Sequence, residues 1–387
     1  VFEIDEWFLN PFEWYRTMRA SAPVYFDPQR EIWNVFRYSD VKRVLSDFHV
    51  FSSKFGEPGS ETPITNSMIS ADPPLHTRLR SIVSKAFTPN SVAKLEPRIT
   101  GIANQLLDEA VPRGAMDVIG DFAEPLPVTV IAELLGIPVE DRRKFKEWSD
   151  STVGVTNTGY GQTSRRDTQH ELAEYFSEVL RDRGSNPGND LISSIVTSKV
   201  DTQRLTHEEA LGFCLLLLVA GNETTTNLIG NAIRILTEKN GEQTLSRLRR
   251  DPSLIPSAVE EVLRYESPVQ SMFRITVVDT ELGDKKISAG QTVLSWIGSA
   301  NRDESVFPSP DDFNVERKPN PHIAFGHGIH MCLGASLARL EAKVALTTLI
   351  GRFDQLQRQN PDQTPEPIKN IIIHGVRHLP IVFSSKR

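Results

Sequence analysis

The 387-residue sequence predicts a mainly α fold with a smaller β portion, in one domain over 1–387, and three observations carry that expectation. Apolar residues recur at helical spacing from His76 to about Glu238. Short β-branched and aromatic runs bounded by turn residues occur near the start and again after Glu260. No internal repeat, low-complexity tract or linker divides the chain. Charged residues make up 24% and the net charge is −7, which argues against a general nucleic-acid binder with its clustered basic excess. The longest apolar run, Phe213 to Ala220, is far short of the roughly 20 residues that cross a bilayer. The opening run VFEIDEWFLNPFEWYRTMR suits a packed surface helix rather than a signal peptide. A cytoplasmic protein with no membrane or nucleic-acid partner is therefore expected.

In chain order, PVYFDPQREIWNVFRYSD reads as two short strands around a turn, Val24–Phe26 and Ile32–Phe36. Gly, Pro, Ser and Thr dominate from about Lys54 to Pro74, the chemistry of a long loop of the kind that often forms a lid. Leu126, Val130, Ile131, Leu134 and Leu135 mark one face of a helix that Gly136 to Pro138 stops. The longest helix is expected over Leu205–Lys239, with Thr206 and Glu209 at capping-box spacing. At 1.5 Å per residue it would span roughly 50 Å. Strands are expected at Phe273–Val278 and Thr292–Ile297. A last helix should run from about Leu333 to Ile350, with Leu333, Leu337, Leu340 and Val344 on one face.

The two cysteines differ in context. Cys214 lies in GFCLLLLVAG and reads as a small buried hydrophobe. No CxxC pair exists for a zinc ribbon or a thioredoxin-like site. Cys332 lies in FGHGIHMCLG, where Gly326, Gly328 and Gly334 let the backbone turn tightly and approach a flat ligand. A helix beginning near Leu333 would aim free N–H groups at the sulfur, and such donors lower a thiol's pKa. A thiolate is a known proximal ligand of haem iron. Two other readings of the segment stand beside this one. His327, His330 and Cys332 could ligate zinc or copper, although nothing nearby completes a shell. GHGIHM starts like a dinucleotide fingerprint but has Met331 where the third glycine belongs.

Phe325, Gly328, Cys332 and Gly334, in the pattern FxxGxxxCxG, resemble the haem-binding signature of the cytochrome P450 superfamily. The surrounding RKPNPHIAFGHGIHMCLGASLARLE is similar to soluble bacterial members, and the resemblance extends over nearly the whole chain. It implies haem b (Fe-protoporphyrin IX) with Cys332 as its metal ligand, and dioxygen as co-substrate. It also implies the family fold, with haem between a long distal helix and the helix after the cysteine loop.

Three further stretches carry the resemblance. Ala220, Gly221, Asn222, Glu223, Thr224 and Thr225 interrupt the apolar helix with polar residues poorly suited to its interior. They are similar to the family's oxygen-activation motif. By that likeness Thr224 holds a water and hydrogen-bonds the oxygen being activated, Glu223 relays protons, and Gly221 leaves room beside a locally opened helix. Glu261 and Arg264, at i and i+3 on one helix face, match the family's structural ExxR pair, which Arg317 would join. His76 and Arg80, one turn apart after Pro73 and Pro74, match propionate-binding positions together with Arg274 and His330. Arg78 and Arg302 are weaker candidates for that role, and Arg78 reads as solvated charge.

The resemblance implies a monooxygenase reaction, RH + O₂ + two electrons + two protons giving ROH and water. The substrate is expected to be small to medium and largely apolar, with walls from Met68, Ile69, Leu216, Val219, Val269, Met272 and Ile372. Neither a GxGxxG fingerprint nor a cysteine cluster is present, so electrons should come from a separate ferredoxin or flavodoxin with its reductase. Lys85, Arg339 and Lys343 are expected to form a positive docking patch. The alternatives are a peroxide-driven enzyme, a desaturase or coupling enzyme on the same scaffold, and a non-enzymatic haem sensor.

Overall fold

The structure, a computed structural model, describes residues 4–54, 67–84, 86–141, 144, 145, 148, 162–198, 204–238 and 241–385. Residues 55–66 of the predicted loop, Val1 at the head of the opening run, Lys85 of the predicted patch and Lys239 at the predicted helix end lie outside the described residues.

Helices form most of the molecule and pack around His207–Thr237, here the long helix. Its start is the predicted capping box. The Thr206 hydroxyl accepts from the Glu209 N–H at 3.2 Å, and the Glu209 carboxylate accepts from the Thr206 N–H at 2.9 Å. Two donors that a helix start leaves unpaired are thereby satisfied. Helix Pro125–Leu135 lies against it with Leu126, Val130, Ile131 and Leu135 buried. Gly136 ends that helix at φ 72°, a left-handed conformation that glycine adopts without strain.

The strands are Val24–Asp27 (β1), Ile32–Val35 (β2), Phe51–Ser52 (β3), Ala115–Asp117 (β4), Ser271–Thr276 (β5), Thr280–Leu282 (β6), Lys285–Ile287 (β7), Thr292–Trp296 (β8), Phe353–Arg358 (β9) and Pro380–Ser385 (β10). One sheet has the order β1-β2-β8-β5-β3, a second β4-β10-β9, and β6 pairs with β7. The β2–β8 ladder is parallel and the others are antiparallel. β1, β2, β5 and β8 stand where strands were predicted. β4 does not, because it interrupts the stretch read as helical. It follows the left-handed Gly114 and pairs with β10 at the far end of the chain, a contact with no local signature.

The last helix runs Ala335–Arg352, starting later than predicted, with Gly334 as its N-cap residue. Leu337, Leu340 and Val344 are buried on it, while Leu333 precedes it and is half-buried. Glu261 and Arg264, on helix Ile255–Tyr265, are both 0% exposed, with Nε and a terminal nitrogen of the arginine at 2.8 and 2.7 Å from the carboxylate. Arg317 Nε adds contacts at 3.1 and 3.2 Å to the same carboxylate. The two guanidiniums spend their remaining donors on the carbonyls of Asn301, Pro308, Ser309, Pro310 and Asp312. The buried carboxylate thus pins the irregular segment that leads into the cysteine loop.

Candidate functional site

Cys332 sits between a single 3₁₀ turn, Gly328–His330, and the start of the last helix. Its N–H donates to the Phe325 carbonyl at 2.8 Å and closes the loop. Gly328 has φ 74°, and a Cβ there would lie 2.7 Å from the Ser46 Cα, so both its conformation and its neighbour exclude a side chain. Arg80 donates to the Met331 carbonyl at 2.6 Å, and the Arg339 guanidinium lies 4.5 Å from the centre of the Phe325 ring. The Cys332 side chain is accessible, yet the sulfur lies deep enough for burial to push the thiol up; the Gly334 N–H and the charges of Arg80 and Arg339 pull the other way. The last helix begins at Ala335 rather than Leu333, and the N–H that reaches the sulfur is that of its N-cap residue, Gly334.

The four residues assigned to propionates come together. His76 and His330 have ring centres 4.4 Å apart, and both Nε2 atoms are buried without a hydrogen-bond partner. Arg274, on β5, is 3% exposed and donates to the Phe273 carbonyl. Burial lowers it to about 10. Burial, then the neighbouring charges of Arg274, His76 and Arg80, lower His330 to about 3. Burial also lowers His76, ahead of the Arg80 charge. Asp72 opposes both His76 and Arg274, and is itself held by the Ser52 hydroxyl at 2.5 Å and the Ser53 N–H at 3.1 Å. Two arginines thus face one carboxylate, beside two imidazoles that burial keeps uncharged and whose Nε2 atoms have no partner, an arrangement that suits an anionic ligand with several acceptor oxygens. Sequence reasoning missed Asp72.

On the long helix, Ala220 is exposed and Val219, Gly221 and Thr224 are half-buried, whereas Leu216 and Glu223 are buried. An open patch therefore interrupts the buried middle of the helix. Thr224 donates its hydroxyl to the Ala220 carbonyl at 2.8 Å, and Asn227 donates its amide to the Glu223 carbonyl at 2.8 Å. The expected local opening of the helix is absent over 220–225, since the hydroxyl back-bonds within the turn. A Cβ on Gly221 would lie 3.1 Å from Ile131, so this glycine lets the helix Pro125–Leu135 approach closely.

Met68 joins the main core, and Val269 and Met272 pack against a second apolar cluster around Val293 and Ile297. Ile69 is half-buried beside Met68, and Ile372 is half-buried with its carbonyl accepting from the Gln270 N–H at 2.6 Å. Arg78 is not simply solvated: it pairs with the capping-box Glu209. Arg302 takes no part in the cationic group. It donates to the Tyr265 carbonyl, pairs with Asp311 at 3.0 Å and lies over the Phe12 and Tyr265 rings. Two members of the predicted docking patch are ion-paired, Arg339 bidentate on Glu260 at 2.7 and 2.9 Å and Lys343 on Glu96 at 2.7 Å. Among the described residues no group of three or more His, Cys, Asp or Glu could hold a metal ion, so the zinc or copper reading finds no donor set. Nor is any helix among the described residues long and apolar enough to cross a membrane.

An iron porphyrin asks for what these groups offer: a thiol for the metal, cations for two carboxylates and an open helix face. The class so defined is the haem-thiolate proteins. Comparison with known proteins reaches the same class independently. The cytochrome P450 family profile matches residues 155–378. Cytochrome P450 109 of Bacillus spizizenii is 44% identical over 98% of this chain and 93% of its own length. The erythromycin C-12 hydroxylase of Saccharopolyspora erythraea is 40% identical over 96% and 94%. The crystal structure of substrate-free CYP109E1 from Bacillus megaterium superposes with a TM-score of 0.93 at 42% identity, covering 97% of this chain and 99% of that one. The chain belongs to the cytochrome P450 family. It is a monooxygenase that uses haem b and dioxygen, with a small-molecule substrate and electrons from a redox partner.

Proposed function

We propose that the chain is a single-domain monooxygenase with Cys332 as axial ligand, acting on a small-to-medium, largely apolar substrate with electrons from a separate ferredoxin or flavodoxin. The haem would lie between the long helix and the cysteine loop, and when bound it supplies the activation of dioxygen. One observation carries the reading. Arg80, one of the two arginines of the cationic group, is bonded to Met331 beside Cys332, so the thiol and a carboxylate-binding cation are tied together.

Arg80 and Arg274 would donate to the propionates, with the unpartnered Nε2 atoms of His76 and His330 as further donors. The Thr224 hydroxyl, now on the Ala220 carbonyl, would turn outward to hold a water at the open patch. Glu223, one residue away and buried, would carry protons inward, as a carboxyl near the reacting centre can. Leu216, Val219, Ile69 and Ile372 would orient the substrate and exclude water. CYP109E1 has been crystallised with testosterone and with corticosterone, which supports an apolar substrate here and extends its size toward a steroid. The retained acid–hydroxyl pair favours dioxygen over peroxide as oxidant.

Two cysteines cannot furnish the four thiolates of an iron–sulfur cluster, which supports an external donor. Since Arg339 and Lys343 are already paired, the reduction rate should depend only weakly on salt. The test is turnover with NADPH and substrate, with and without a ferredoxin and its reductase. Full-rate product without those partners and without peroxide would overturn the external donor. Spectral perturbation by highly charged compounds alone would overturn the apolar substrate.

A further inference from the structure

The segment after β9 folds back on itself, with Pro367 bridged to Val376, and its tip lies along the residues leading into β5. Gln270 N–H donates to the Ile372 carbonyl at 2.6 Å, His374 N–H to Pro268 at 2.9 Å, and the Ser271 hydroxyl to Ile371 at 2.8 Å. These bonds fix Ile372, one of the proposed substrate walls. The returning limb then crosses the long helix at Asn227. A Cβ on Gly375 would fall 1.9 Å from the Asn227 amide oxygen and 2.7 Å from its Cγ. Gly375 is not left-handed, so the close approach alone demands glycine here.

Asn227 is 2% exposed, and its other end donates to the Glu223 carbonyl at 2.8 Å. One turn further on, Asn231 donates to the carbonyls of His374 at 3.1 Å and Glu266 at 3.3 Å. Two asparagines on one face of the long helix therefore hold the 374–375 segment, and the first also holds the backbone of Glu223. We infer that Asn227 is a positioning residue, which sets the backbone of Glu223 and ties it through Gly375 to the substrate-facing turn at Ile372. Displacement of that turn is then passed to the proton relay through the close approach of Gly375 to the Asn227 amide. The inference rests on the relay reading of Glu223.

The test uses the holoenzyme with its ferredoxin system and reads product per electron and the solvent isotope effect on turnover. The red-shifted Soret band of the reduced carbon monoxide complex confirms an intact haem-thiolate fold in each variant. Asn227→Ala removes the donor, and Gly375→Ala pushes the amide aside. Each should lower product per electron by about threefold to tenfold, the range for one lost buried hydrogen bond, and raise the isotope effect. The double variant should be no worse than Asn227→Ala alone, since the smaller side chain vacates the space that the new methyl needs. If Gly375→Ala does not fold, Asn227→Ala decides by itself. Unchanged coupling and isotope effect in the single variants, with Glu223→Gln still slow, would overturn the positioning role and leave the relay standing. Normal turnover in Glu223→Gln would overturn the relay and this inference with it.

Discussion

Two arginine-bearing clusters flank the cysteine loop, and they are built on opposite principles. Around Glu261, the guanidiniums of Arg264 and Arg317 share a buried carboxylate and use up their donors on nearby carbonyls. Around His330, Arg80 and Arg274 meet two imidazoles, with Asp72 as the acid that opposes them. A closed cluster holds a fold, because the polar groups taken from water find hydrogen-bond partners inside the chain. An open one carries a desolvation cost that only a ligand can offset, and so marks where an anion belongs.

The largest expected effect breaks the closed cluster. Glu261→Ala strands buried Arg264 and Arg317, and should cost about 3–5 kcal/mol in thermal or urea unfolding. A loss under about 1 kcal/mol would mean that the network is redundant.

Glu341 sharpens the contrast as a third case. It is 1% exposed on the last helix, neither carboxylate oxygen has a hydrogen-bond partner, and burial raises it to about 8 from the usual 4.5. The folded protein keeps a proton that the unfolded chain releases, so this residue favours folding less as pH rises from the unfolded toward the folded pKa. Between about pH 5 and pH 8 the parent should lose up to about 3 kcal/mol that Glu341→Gln does not lose. Parallel stability–pH curves would contradict it.

Opening the second cluster further acts on the ligand rather than the fold. Arg274→Ala should release haem to an acceptor globin about tenfold faster or more, the worth of a charged hydrogen bond. Unfolding of the haem-free protein should hold steady or improve. A large loss of haem-free stability would place Arg274 with the structural arginines instead. Smallest on the fold is Thr224→Ala, at about 1 kcal/mol or less. Electrons should still flow while product per electron falls several-fold and peroxide appears; unchanged yield would remove Thr224 from proton management.

What the sequence made legible follows the same divide. The capping box at Thr206 and the ExxR pair are short-range patterns whose spacing survives in one dimension, and the structure pairs each as read; the cysteine loop is as local a pattern, although the helix after it starts later than read. The Gly136 stop is equally local. Other features left no such trace. β4 exists because β10 lies beside it. The late start of the last helix depends on the loop geometry around Gly334. Arg302 reads as a free cation until Phe12 and Tyr265 are seen beneath it. The pairing of Arg339 and Lys343 was hidden for the same reason, since Glu260 and Glu96 are distant in sequence. Asn227 was within reach, standing one turn after Glu223 at a spacing that lets its amide meet that carbonyl.

The central claim is that Cys332 supplies the thiolate, and the reduced carbon monoxide complex tests it most directly. The parent should show the red-shifted Soret band of thiolate-ligated haem. Cys332→Ala should lose that band, with Cys214 untouched and buried. Retention of the band in Cys332→Ala would contradict the account.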